Sequence, residues 1–370
     1  MSTPEIYLGL MSGTSIDSID AAAMTFTGGE LQLLGTHSQP IPAKLKQQIL
    51  DLCQPAKDNV QLLCETDNQL GELFAQSALA LMNTKNIRPD QIAAIGSHGQ
   101  TIRHSPPVSG AIAFTQQIAD ANIIAVRTGC KVVADFRRKD MALGGHGAPL
   151  VPAFHKTLFA DTTANRVIAN IGGISNITAL PSDHSCYGFD TGPGNLLLDA
   201  WCAKHTGHGF DDKGSWGATG QVSYKLLEQL MAHPFISQAA PKSTGREMFN
   251  LSWLEKQLSG YNLTAQDIQA TLVSFTAQSL AGAINQLNEP VDEVYICGGG
   301  VFNDELMDEL QIALGSTPLH STEQLGLDPT WVEACAFGWL ARQRINNQPG
   351  NLPSVTGASR EAVLGALYLP

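Results

Sequence analysis

No lysine in the chain follows a glycine, so no Walker-type phosphate loop can form. There is no Gly-x-Gly-x-x-Gly after an apolar run, no His-Glu-x-x-His and no Gly-x-Ser-x-Gly. A bound phosphate would have to be held another way. None of the seven cysteines forms a Cys-x-x-Cys, and neither His98 nor His146 has a partner at metal-ligand spacing. A structural zinc is therefore not expected. Most of the cysteines lie in apolar runs and read as reduced core residues of a reducing compartment. No run of about 18 apolar residues is present, so no membrane span is expected. The opening residues lack a basic start followed by a long apolar stretch, and a cytoplasmic location is expected. Positive charge is also scarce, with 22 Lys and Arg against 34 Asp and Glu, a formal net charge of −12. Nucleic acid is a poor fit to that balance, and the one compact basic run is Arg137-Arg138-Lys139.

What is present is an ordinary folded composition, 43% hydrophobic and 15% charged, over 370 residues. That length implies two domains or lobes. The chain opens as an antiparallel meander: Glu5 to Met11, a turn over Ser12 to Asp17, then Ile19 to Phe26 and Leu31 to Thr36. Helical patterns follow at Ala43 to Leu52 and Val60 to Asn83, then a short buried strand at Ile92 to Ser97. Apolar pieces recur at Ile123 to Val126 and Val132 to Ala134. Near residue 165 the opening grammar returns: "RVIANIGGISNITAL" is again strand, glycine turn and strand, and "CYGFD" reads as a third strand ending at Asp190. Two such openings in one chain suggest two similar lobes. Helices are expected at Leu196 to His205, Val222 to Ala232 and Asp267 to Leu287. "VDEVYIC" reads as a buried strand, Asn303 as the cap of a helix over Asp304 to Leu314, and Val332 to Arg344 as a last helix.

Several segments carry candidate chemistry, each with a plainer alternative. In "SGTSID" the glycine would let backbone N–H groups converge on an anion, hydroxyls would add donors, and Asp17 could orient hydrated Mg²⁺. The alternative is a tight hairpin with Asp as turn former. In "GFDTGPGN", Asp190 is placed to act as a base, while Gly192, Gly194 and Asn195 lead into a helix whose N-terminus could hold an anion. Asp190 could instead cap that loop. Gly298, Gly299 and Gly300 would let a flat ligand approach the backbone, or merely permit helix packing. His98 and Gln100 in "GSHGQTIRH" could bind substrate or be satisfied core polar groups. Arg137 and Arg138 could grip a carboxylate or meet transferred phosphate, or form a solvated surface run. Glu333, inside an apolar helix, is either a packed, paired carboxylate or a ligand contact. The loops "FDDKGSWGATG" and "PKSTGRE" (241–247) resist assignment from spacing.

Taken together, "GLMSGTSIDSID", "IGSHGQTIRH", "VVADFRRKDMALGGHGAPLVP", "NIGGISNIT", "GFDTGPGN", "PKSTGREMFN" and "CGGGVFN" resemble the anhydro-N-acetylmuramic acid kinases over nearly the whole chain. The resemblance implies an α/β fold, two-lobed and actin/hexokinase-like (ribonuclease H-like), with a central cleft. Lobe I would comprise 1–127 plus 346–370 and lobe II 128–345. It implies ATP-dependent phosphorylation of 1,6-anhydro-N-acetylmuramic acid with addition of water, giving N-acetylmuramic acid 6-phosphate in murein recycling. It further implies Mg²⁺, often a homodimer, and no nucleic-acid or membrane partner. By resemblance, Gly13, Thr14, Ser15, Ile16, Asp17, Ser18, Ile19 and Asp20 match the ATP phosphate loop, although Ser18 stands where a glycine is usual. Asp190 matches the catalytic aspartate, and Gly298 to Gly300 the adenosine-side segment. Arg137 or Arg138 would face the sugar, with His98, Gln100 and Glu333 as further substrate candidates. An ATP-independent sugar hydrolase built on Asp17 and Asp190, and a non-catalytic ATP-binding clamp, are the competing readings.

Overall fold

The structure is a computed structural model that describes residues 5–107, 112–240 and 242–370. Its strands, in chain order, begin with β1 (Ile6–Met11), β2 (Ser18–Thr27), β3 (Glu30–Pro40), β4 (Ile92–Ser97), β5 (Gln100–Ser105), β6 (Phe114–Ile118) and β7 (Val132–Ala134). They continue with β8 (Arg166–Ile171), β9 (Ile174–Leu180), β10 (Tyr187–Pro193), β11 (Glu293–Cys297), β12 (Leu319–Ser321) and β13 (Ala366–Tyr368). Two compact units result, one of Met1–Leu158 with Trp331–Pro370 and the other of Phe159–Thr330.

The two sheets obey one rule. In the first unit the order is β13-β7-β4-β1-β2-β3, with β1, β2 and β3 antiparallel and β4 and β7 parallel to β1. In the second it is β10-β9-β8-β11-β12, with β8, β9 and β10 antiparallel and β11 and β12 parallel to β8. Leaving aside the added edge strand β13, each sheet is a meander followed by two crossover strands in the order 3-2-1-4-5. That is the ribonuclease H-like arrangement, present twice. The repeat seen in the sequence is therefore a repeat of topology, carried by the apolar runs rather than by matching residues.

Each unit has its own core. Ile19, Ile49, Phe74, Leu81 and Ile124 are fully buried in the first, and Phe249, Phe275, Leu280, Leu306 and Leu310 in the second. The long helix Val60–Lys85 starts where the Asn59 side chain accepts Leu62 N–H, and stops at Asn86 in the left-handed conformation. The apolar piece at 123–126 belongs to a helix, Ala121–Thr128, capped by Asp120 and closed by Gly129 at φ 65°. The polar alternation of "QTIRHS" concealed β5, which pairs with β6 as a separate hairpin.

The helix Val332–Ile345 belongs to the first unit, although the sequence placed it in the second lobe. The reason is steric. A Cβ at Gly9 would overlap the Ala334 carbonyl oxygen, and one at Gly96 the Phe337 carbonyl. Only the missing side chains on β1 and β4 let this helix backbone lie directly on the sheet. Residues 137–147 are likewise tied to the C-terminal segment. The fully buried Asp140 accepts Gly147 N–H (2.8 Å), Asn351 Nδ2 (2.7 Å) and Thr356 Oγ1 (2.8 Å). The compact units accordingly divide at 158/159 and 330/331, whereas the sequence suggested 127/128 and 345/346.

Gly9→Ala is expected to destabilise the protein by about 1–3 kcal/mol, because the obstructing atoms are backbone and cannot swing aside. Urea unfolding measures this, and an unchanged midpoint would show that the helix does not depend on the glycine contact.

Candidate active site

The turn between β1 and β2 keeps the shape its composition suggested. Ser12 is buried, while Thr14, Ser15 and Asp17 are exposed. Ile16 is 3% exposed at φ 57°, an unusual conformation for a β-branched residue, and its N–H points back to the Gly13 carbonyl (3.3 Å). Burying the Ile16 side chain anchors the turn and leaves its polar tip outside. A Cβ added at Gly13 would meet nothing within 4 Å, so open space lies against that backbone. Asp17 is paired with Lys46. Asp20 Oδ1 accepts the Ser18 (3.0 Å) and Ser38 (2.7 Å) hydroxyls and lies in β2, with Ser18 and Ile19.

All five candidate substrate residues lie in this unit, and four of them, His98, Gln100, Arg137 and Glu333, are buried or half-buried. His98 is 6% exposed, and its Nε2 accepts two N–H groups of Arg137, from Nε at 3.2 Å and Nη2 at 2.9 Å. Arg137 Nη1 donates to the Gly147 carbonyl (2.9 Å). Gln100 is also buried, and its Oε1 accepts the Ser12 hydroxyl at 2.7 Å. Gln100 is thus a strut under the turn. Glu333 starts the helix Val332–Ile345, where burial pushes its carboxyl up, Arg137 pulls it down and Asp20 pushes it up. Burial also pulls the Arg137 guanidinium down to about 10, opposed by Glu333 and Asp140.

Arg138 stands apart from these four. It is exposed, donates to Gln116 Oε1 (2.6 Å) and lies 3.7 Å from Asp135. It lines a cavity of about 190 Å³ together with Asp67, Ser97, His98, Gln116 and Asp135.

In the second unit, β10 does not end at Asp190 but runs on to Pro193, with a bulge between Asp190 and Gly192. A bulge re-aims a side chain, and here the extra residue, Thr191, turns inward with its hydroxyl on Ser175 O (3.2 Å). Asp190 N–H donates to the Lys242 carbonyl (3.2 Å), and Asp190 Oδ2 accepts Thr244 N–H (2.9 Å). Burial pushes the Asp190 carboxyl up to about 7; the Thr244 N–H and the Lys242 ammonium oppose the shift, and Glu247 adds to it. Lys242, 8% exposed, donates to the carbonyls of Phe235 (3.0 Å) and Ile236 (2.9 Å). The loop of 242–247 thus fixes and tunes Asp190. Spacing could not reveal this, since Thr244 is 54 residues from the carboxyl it holds; Pro241 of the same motif lies outside the described residues.

The helix Asn195–Thr206 offers less to an anion than its sequence suggested. The N–H groups of Gly194, Asn195 and Leu196 already donate to the carbonyls of Gly172 and Gly173 (2.8–3.1 Å). These bonds lock the β8–β9 turn to the helix start. The triple glycine packs on the same corner. A Cβ at Gly298, φ 82°, would overlap Asn170 Oδ1, one at Gly300 would overlap Ile171, and Gly299 faces Asn195. Gly192, Gly194, Asn195 and Gly298 to Gly300 therefore form one glycine-lined corner at the ends of β8 and β11. The loop at 210–220 is structural: Asp211 accepts the N–H groups of Trp216 (2.9 Å) and Gly217 (2.8 Å). Five of the seven cysteines are buried, and Cys53 and Cys64 are exposed. Among the described residues no helix is long and apolar enough to cross a membrane.

Two ribonuclease H-like sheets in tandem, with a hydroxyl-rich turn after the first strand of one and a half-buried carboxylate in the third strand of the other, define the actin and sugar-kinase class of fold. Within that class the match is specific. The sequence profile of anhydro-N-acetylmuramic acid kinase matches residues 5–370. A protein of that description from Coxiella burnetii is 49% identical over 366 residues, covering 98% of this chain and 97% of the other. One from Shewanella loihica is 50% identical over 364 residues, 98% of each chain, and one from Saccharophagus degradans 49% identical over 370 residues, 99% of this chain and 100% of the other. The chain belongs to the anhydro-N-acetylmuramic acid kinase family and is a sugar kinase.

Proposed function

We propose that the protein uses ATP and water to open 1,6-anhydro-N-acetylmuramic acid and phosphorylate its O6, giving N-acetylmuramic acid 6-phosphate and ADP. The observation that carries this reading is Asp190, a carboxylate that burial brings to about 7. A base with that value is half ionised near neutral pH, where proton abstraction works best. The sugar's O6 is tied to C1, so no free hydroxyl exists to attack ATP. Asp190 takes a proton from water, the water oxygen bonds to C1, and the C1–O6 bond breaks. The O6 so released attacks the γ-phosphorus, and ADP leaves. One base suffices because the phosphoryl group captures the leaving oxygen, where an ordinary glycosidase needs a second carboxylic acid. This product suits a route that returns cell-wall murein to metabolism, in the cytoplasm.

The turn Gly13–Asp17 is the proposed phosphate loop, with open space beside Gly13 and exposed hydroxyls on Thr14 and Ser15. Among the described residues no three His, Cys, Asp or Glu side chains gather to cage a metal. The exposed Asp17 would hold a hydrated Mg²⁺, which would neutralise charge on the transferring group. Arg137 meets the carboxylate of the sugar's lactyl group, and Glu333 lies beside it. Gly298 to Gly300 line the adenosine. The hydrolase and clamp readings gain no observation of their own.

In a steady-state assay of sugar phosphate, kcat/KM is expected to fall as pH drops through about 7, because the acid form of Asp190 cannot accept a proton. Asp190→Asn is expected to lose roughly 10²–10⁴-fold in kcat and to bind ATP as before. Near-normal turnover in that variant would remove Asp190 from the role. Gly13→Ala adds a methyl to open space at an ordinary backbone conformation, so its melting midpoint is expected to hold or rise slightly. Its affinity for ATP should nevertheless fall, and unchanged ATP affinity by calorimetry would place the nucleotide elsewhere.

A further inference from the structure

The neighbouring Arg137 and Arg138 are indistinguishable in the sequence but differ in their surroundings. Arg138 lies on the surface against Gln116 and Asp135. Arg137 is set in the protein, and three of its five N–H groups are committed: two to His98 Nε2 and one to the Gly147 carbonyl. The geometry also fixes the state of His98. An Nε2 that accepts two guanidinium N–H groups holds a lone pair there, so the ring's proton is on Nδ1. A proton on Nε2 would face those two donors head-on. The ring is held in turn by packing on Phe337, centroids 4.6 Å apart, while the backbone N–H of His98 donates to the Leu10 carbonyl (2.9 Å). Burial and the Arg137 charge both keep the imidazole neutral, well below the usual histidine range.

We propose that His98 is a positioning residue: as the neutral Nδ1–H tautomer it fixes one edge of Arg137, so that the two remaining N–H groups, one on each Nη, meet the substrate carboxylate as a pair. This rests on the reading of the substrate as an acidic anhydro-sugar. His98 then touches no substrate, and its effect is exerted through Arg137. A freely rotating guanidinium would pay rotamer entropy and lose the fork geometry that recognises a carboxylate. His98 thus meets the end of β1 through its backbone N–H, on Leu10, and the start of the 137–147 segment through its ring, on Arg137.

The test compares dissociation constants for two sugars measured by calorimetry, 1,6-anhydro-N-acetylmuramic acid and 1,6-anhydro-N-acetylglucosamine, which lacks the lactyl carboxylate. The wild type is expected to prefer the acid. In His98→Asn the side chain ends where Nδ1 was and leaves Arg137 without its acceptor. The preference should fall by roughly 10–10²-fold, the worth of a hydrogen bond to a charged group, with ATP affinity little changed. In His98→Gln the amide oxygen reaches the former Nε2 position, and most of the preference should return. An equal loss on both sugars in His98→Asn, or a His98→Gln no better than His98→Asn while both melt as folded proteins, overturns the proposal. A wild type with no preference for the acid overturns the carboxylate reading itself, and is recognised before any variant is made.

Discussion

The proposed chemistry depends on one carboxyl group being largely withdrawn from water without being fully neutralised. Asp190 sits at a bulge in β10, where burial pushes its carboxyl up. A single backbone N–H from Thr244 and a nearby Lys242 pull the other way, and Glu247 pushes back. The outcome is a group poised to change protonation at working pH. No part of that balance lies on β10 except the carboxyl itself. It comes from a loop about fifty residues further along, held against the bulge by one backbone bond, Asp190 N–H to the Lys242 carbonyl, and one from Thr244 N–H to the carboxylate itself.

The first unit solves a different problem, that of presenting a polar turn and an arginine from one rigid base. Glycines on β1 and β4 allow the helix Val332–Ile345 to lie on the sheet, and that approach delivers Phe337 to His98 and Glu333 to the neighbourhood of Arg137. Gln100 braces Ser12 from beneath. A buried guanidinium is costly unless its N–H groups are satisfied. Here an imidazole and a carbonyl satisfy three of its five N–H groups.

Much of the architecture was legible in the sequence because the runs that make it are short, apolar and bounded by glycine. Ile92–Ser97 and Asp304–Leu314 appear at the residues expected, the latter with Asn303 accepting Leu306 N–H (3.0 Å). What the sequence hid shares one cause: it depends on partners distant in the chain. "TGP" after Asp190 looks like a loop, yet it is strand because Ser175 and Ile174 pair with it. The helix at 332–345 carries no mark of which unit it joins, since the deciding contacts are with glycines more than two hundred residues earlier. Gln100 has its Oε1 on the Ser12 hydroxyl 88 residues away, and the amides at Gly194 to Leu196 looked available and are bonded. The different surroundings of Arg137 and Arg138 were invisible for the same reason.

The central claim is that water attacks carbon, and O6 then attacks phosphorus. A single turnover in water enriched in heavy oxygen, quenched before the sugar's own hydroxyl at C1 can exchange, separates the possibilities by mass spectrometry of the product. The account predicts one heavy oxygen at C1 and none on the phosphoryl group. Heavy oxygen on phosphorus, or none at C1, would contradict it.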